Sequence, residues 1–264
     1  METITQQITW EVEEKKIRYD NIIIPNKKAL VRSDNKTVLS ILSDDYQLFN
    51  NKNLMDLCIE IEKKADYRLN QFVELQGGKK VLAFLENDQI QQINKVPVRE
   101  FLVIGNSFDG SSSLFVGYNS HMIRCENQFT DSKRIFNSKH LKGKMDHKLD
   151  LKNLMHHFHG QKKATLNKFH RMRRVEITNY DISRLVRLII GGKETERPTK
   201  AEMNLRASIA RELAYFGNTA WGLFNGITHY TSNVVNNGNN TFGNVSGKSG
   251  RINKIAMDFL ISLN

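Results

Sequence analysis

The chain is short of the residues that mark export, membrane insertion or a stapled fold. Only two cysteines occur in 264 residues, Cys58 and Cys125, far apart and without a Cys-x-x-Cys spacing. A disulfide framework and a cysteine zinc site are therefore not expected. Three prolines are too few for long disordered linkers. No segment approaches the roughly 18 uninterrupted apolar residues of a membrane span. The opening residues, METITQQITWEVEEKK, have neither the basic nor the apolar region of a signal peptide. The expectation is a protein of the cytosol that contacts no membrane.

Negative charge is scarce in one place only. The net charge is +11. Residues 1–138 hold 18 Lys and Arg against 19 Asp and Glu, and residues 175–264 hold 10 against 7. Residues 139–174 hold 11 cations against only Asp146 and Asp150, with six of the eight histidines. A solvated helical face normally mixes signs; a run this one-sided points to a polyanionic partner.

The front half reads as strands. Ile8–Val12, Ile17–Pro25, Ala29–Arg32 and Thr37–Leu42 are β-prone, and Pro25-Asn26-Lys27 reads as a turn. Leu54, Leu57, Cys58 and Ile61 recur at helical spacing, which predicts a helix over Asn53–Ala65. Two strand pairs follow, around Gly77-Gly78 and around Asp109-Gly110, and a further strand at His121–Cys125.

The back half reads as helices. Leu151, Leu154, Met155 and Phe158 form one apolar stripe, with Gly160 ending that helix and a second running from Lys163 to Arg174. Further helices are predicted over Asp181–Ile190, from a Thr199–Glu202 capping box to Gly217, from an Asn218 cap through Ile227, and over Arg251–Leu263. Residues 232–250 read as a loop. The fold class is α+β: an antiparallel β-rich half (1–138) with one inserted helix, and a basic helical half (139–264), packed as one domain.

The candidate binding residues lie in the basic segment. Lys148, Lys152, His156 and His159 follow one edge of the first stripe, and Asn167, His170, Arg171 and Arg174 share a face of the second helix. Lys148, Lys152, Lys162, Lys163, Lys168, Arg171, Arg173 and Arg174 are expected on phosphates, with His156, His170 and Phe169 stacking on bases. Single-stranded DNA is the favoured partner. His156-His157-Phe158-His159 does not place its rings together with a carboxylate, so no metal and no cofactor is expected.

Catalytic signals are weak. Gly243-Asn244-Val245-Ser246-Gly247-Lys248-Ser249 resembles a phosphate loop, but Phe242 stands where its first glycine belongs; Lys248 and Ser249 remain candidates for a single phosphate contact. Asp109, Glu126 and Asp131 are the nearest carboxylates for metal-dependent nuclease chemistry, and Cys125 with His229 is a nucleophile–base alternative. A turn residue and a buried cysteine explain Asp109 and Cys125 more simply. A binder, rather than an enzyme, is expected.

Two blocks carry a family resemblance. One is Asn106-Ser107-Phe108-Asp109-Gly110-Ser111 followed by Ile123-Arg124-Cys125-Glu126-Asn127. The other is Gly217-Asn218-Thr219-Ala220-Trp221-Gly222-Leu223-Phe224-Asn225-Gly226-Ile227-Thr228-His229-Tyr230. Together they resemble the phage/plasmid-like family built on a domain of unknown function, DUF932. Phe108 stands where that family usually has histidine, and His229 where it usually has glutamate. The resemblance implies a mobile-element origin, a bacterial host cytoplasm and a place near replication or recombination; it implies no reaction.

The order of helix, strand pairs and basic helices is also similar to the β-β-β-α core of single-strand annealing proteins. The reading is therefore a phage- or plasmid-encoded accessory or strand-annealing factor, a homo-oligomer in its working form. The alternatives are a metal-dependent enzyme acting on nucleic acid and an inhibitor directed at a host protein.

Overall fold

A computed structural model describes residues 8–93, 96–122, 127–130, 134–143, 150–191, 197–235 and 247–263. It is an α+β fold, with antiparallel sheets early in the chain and most helices late. The chain forms two compact units, and neither is one continuous stretch. The first comprises Met1–Gln89, Phe101–Tyr118 and Arg134–Phe158; the second comprises Ile90–Glu100, Asn119–Lys133 and His159–Asn264.

The first unit begins with a three-stranded sheet, β1 (Val12–Tyr19), β2 (Ile22–Arg32) and β3 (Val38–Ser43), in that order. The turn between β1 and β2 falls at Asp20-Asn21, not at Pro25-Asn26-Lys27 as the sequence suggests. Asp20 takes the left-handed conformation at φ 49°, which short polar side chains tolerate. Pro25 lies inside β2, where the register jumps from Arg18 opposite Ile23 to Lys16 opposite Lys28. A proline costs little at such an irregularity because no ladder hydrogen bond is lost there.

Helix α1 (Asn51–Lys64) starts one turn earlier than its apolar stripe, because Asn50 and Asn53 form a reciprocal cap. It buries Leu54, Leu57, Cys58 and Ile61. The larger sheet follows, with β4 (Tyr67–Leu75), β5 (Lys80–Asn87), β6 (Gln91–Ile93), β7 (Val96–Ser107), β8 (Leu114–Met122), β9 (Gln128–Thr130) and β10 (Phe136–Ser138). Its order is β10-β8-β7-β5-β4, with β6 on β7 and β9 on β8. The first unit's core gathers Trp10, Leu30, Leu54, Tyr67, Phe108, Tyr118 and Phe158. Arg32 is held at its edge, over the Trp10 ring and paired to Asp34 and Glu74 at 2.8 Å each.

One prediction fails clearly in the helices. Gly160 does not divide two helices: α2 runs unbroken from Leu151 to Met172. Phe158, Thr165, Phe169 and Met172 keep the helical repeat across the glycine and are all buried. Packing of an in-phase stripe outweighs a glycine penalty of about 1 kcal/mol.

The remaining helices are α3 (Asn179–Ile190), α4 (Lys200–Phe216), α5 (Ala220–His229), a π-helical turn (Tyr230–Val235) and α6 (Lys248–Ile261). Thr199 caps α4, but Glu202 completes no reciprocal box and pairs with Arg206 at 2.9 Å. Thr219, not Asn218, caps α5, accepting from the Gly222 amide. The predicted loop over 232–250 gives way at both ends to the π-helical turn and to α6. The second unit's core is aromatic: Phe129, Phe169, Trp221 and Phe224 pack with ring centroids 5.0–6.3 Å apart. No described helix is long and apolar enough to cross a membrane.

Candidate functional site

Helix α2 carries no Asp or Glu in its 22 residues. Asp150 lies just before it and accepts from the Asn153 amide at 3.2 Å, which is a capping role that complements the helix N-terminus. Lys152, His156, His159, Lys163, Asn167 and His170 follow one another at intervals of three or four, the spacing that keeps side chains on one side of a helix. All six are exposed. Lys152 and His156 belong to the stretch in the first unit, and the other four to the second.

The structure sorts the predicted contacts. Lys163, His170, Arg171 and Arg174 are exposed in the second unit, and Lys168 and Arg173 are half-buried there. Lys162 is engaged elsewhere: its ammonium lies 2.5 Å from Glu100, which is 0 % exposed. A buried carboxylate favours such a partner, which holds Lys162 within the fold. Phe169 is 2 % exposed and packed among Phe129, Trp221 and Phe224, so it cannot stack on a base. Lys148 lies outside the described residues.

Of the phosphate-loop candidates, Lys248 is exposed at the first position of α6, whereas Ser249 is 1 % exposed and directs its hydroxyl to the Thr231 carbonyl at 3.5 Å. Ser249 is thus turned inward from the helix N-terminus. Residues 243–246 lie outside the described part of the chain, as do Cys125, Glu126 and Asp131.

The two blocks singled out in the sequence are structural where they are described. In the first unit Asn106 donates to the Phe49 carbonyl at 2.7 Å, Ser107 bridges to Ser112, and Asp109 accepts from the Ser111 amide at 2.9 Å. Phe108 is buried edge-on to Trp10. Asp109 is therefore a turn residue.

In the second unit the other block forms a buried polar layer. Asn225 donates to the Trp221 carbonyl at 2.8 Å, Asn127 donates to the Asn225 carbonyl at 3.3 Å, and Thr231 donates to Asn253 at 2.9 Å. The Trp221 indole N–H and the Asn225 side-chain oxygen Oδ1 find no protein partner. Both residues line a small cavity of about 10 Å³, room for a single water.

His229 ends α5 and sits 3.0 Å from an Arg211 guanidinium nitrogen through Nε2 and 3.1 Å from the Ser208 hydroxyl through Nδ1. Arginine only donates, so Nε2 must accept, and the ring proton on Nδ1 points to Ser208. In that tautomer His229 cannot take a proton from Ser208. Burial, and then the Arg211 charge, push its pKa below the ordinary histidine value. Among the described residues no three His, Cys, Asp or Glu side chains converge to hold a metal ion. Neither His229 nor the Glu100–Lys162 pair was recognisable as a polar anchor beforehand, since their partners are distant in sequence.

Comparison with known proteins adds the family. No curated protein and no solved structure matches the chain. Residues 38–252 match the family model described as a domain of unknown function, DUF932. The match takes in most of the chain and both of the blocks described above, and the protein belongs to the DUF932 family.

Proposed function

We propose that this protein binds nucleic acid, with single-stranded DNA favoured, through the exposed side of α2 and the turn after it that carries Arg174, and serves as an accessory or strand-annealing factor in recombination or replication of a mobile element. One observation carries the reading: every charged side chain on a 22-residue helix is cationic or a histidine, and its outward positions are solvent-exposed. Such a row suits phosphates along a strand, because each neutralised phosphate releases condensed counterions. The exposed His156 and His170 rings are available for stacking or base contacts.

The test is fluorescence anisotropy of a labelled single-stranded oligonucleotide. Lys163→Ala/His170→Ala/Arg174→Ala should weaken binding at least about tenfold, since phosphate contacts act on all sequences alike. Stability should change by less than about 0.5 kcal/mol, as expected for exposed positions. Equal affinity in the variant would reject the reading. Incubation of labelled DNA and RNA with Mg²⁺ or Mn²⁺ distinguishes the enzymatic alternative, because any cleavage ends the account of a pure binder.

A further inference from the structure

The first unit has a groove of about 510 Å³ along α1, beside its buried stripe. Asn51, Met55, Ile59 and Glu62 line it at helical spacing, and Glu11 and Leu69 approach from outside the helix. Its size is that of a small-molecule site, and its charge opposes that of the chain as a whole. Glu11, Asp56 and Glu62 contribute three carboxylates, against the single ammonium of Lys52.

The floor is rich in acceptors that lack donors. Asn51 is 3 % exposed; its amide nitrogen donates to the Trp10 carbonyl at 2.9 Å, while its carbonyl oxygen has no partner. One carboxylate oxygen of Glu11 is likewise buried and unpaired. Native interiors rarely leave such groups unsatisfied, because each costs desolvation without return. Burial raises the Glu11 pKa more than the Asn51 and Lys52 amides lower it, so the carboxylate is short of positive partners.

We propose that this groove binds an organic cation: an ammonium or guanidinium group carried on an aliphatic stem. The donors and charge of the head group meet Glu11, Asn51 and Asp56, and the stem lies along Ile8, Met55, Ile59 and Leu69. A bare metal ion fits poorly, because no three of the described carboxylates and imidazoles converge and half of the lining is aliphatic. An anion is excluded by the three carboxylates. The same chemistry is offered by a free polyamine or by a Lys or Arg side chain of a peptide. This site goes beyond the α2 reading and does not rest on it.

The experiment uses the full chain labelled at the methionine methyl groups, with the Met55 signal assigned through Met55→Leu. Spermidine and a terminally blocked tetrapeptide containing two lysines are titrated separately, without nucleic acid. The Met55 signal should move in a saturable 1:1 manner with at least one of them, and the tighter one identifies the source. Glu11→Gln should weaken binding about tenfold, the equivalent of one charge-assisted hydrogen bond. Asp56→Asn, at an exposed position where a substitution is expected to cost little stability, should weaken it about threefold. An unmoved Met55 signal at millimolar concentrations of both probes would overturn the proposal. So would the same shift with Mg²⁺ at equal ionic strength, or affinity unchanged in both variants.

Discussion

His229 shows how a single side chain is fixed by groups that no local pattern reveals. Arg211 donates to one ring nitrogen and the other donates to Ser208, so the folded protein holds the neutral ring. Its pKa in the folded state lies below the unfolded value. Well above the unfolded value of about 6.5 both states are neutral and the residue contributes no pH dependence. As pH falls below 6.5 the unfolded chain takes up the proton first and stability is lost. His140, whose pKa burial also lowers, acts in the same direction. His229→Gln should therefore show a smaller fall in urea midpoint between pH 7.5 and 5.5 than the wild type, with the remaining fall shared by His140. An unchanged fall would mean that His229 is not held neutral.

Lys162 makes the same point about partners. Within its own stretch it belongs to a basic run, and nothing nearby in sequence marks it as different. The partner is Glu100, at the far end of β7's stretch in the second unit. Charge composition locates the cations but cannot tell an engaged lysine from exposed ones such as Lys163. Phe169 was misjudged for the related reason that periodicity gives a face and not what covers it.

At the scale of elements, apolar periodicity placed α1, α2, α4 and α6, and glycines placed the Gly77-Gly78 and Asp109-Gly110 turns. What it misjudged were punctuation residues. Pro25 reads as the end of a strand but occupies an irregularity within one; Gly160 reads as the end of a helix but lies within one. At Pro25 the ladder irregularity removes the cost of a missing donor; at Gly160 the buried stripe on either side outweighs a helix penalty of about 1 kcal/mol. Gly160 is exposed, and a methyl group added there would meet nothing within 4 Å. Gly160→Ala should therefore stabilise the protein by about 1 kcal/mol, seen as a higher urea midpoint with unchanged slope. A loss of stability would show that the helix needs the glycine.

On the scale of the whole molecule, the net charge of +11 is concentrated in a short part of the chain, and the fold leaves much of that part exposed on one helix. The α+β class, the family and the location of the cations were legible in the sequence. The two discontinuous units were not, since β7, β8 and α2 each pass from one to the other without any break in composition. The acidic groove beside α1 was equally hidden, because its carboxylates come from separated segments whose charges balance in a count.

The salt dependence of single-strand binding tests the α2 account most directly. Observed affinity should fall linearly with salt on a double-logarithmic plot, and Lys163→Ala/Arg174→Ala should make that slope shallower by about 1.4, the release expected from two phosphate contacts on a single strand. A slope near zero for the wild type, or the same slope in the variant, would contradict it.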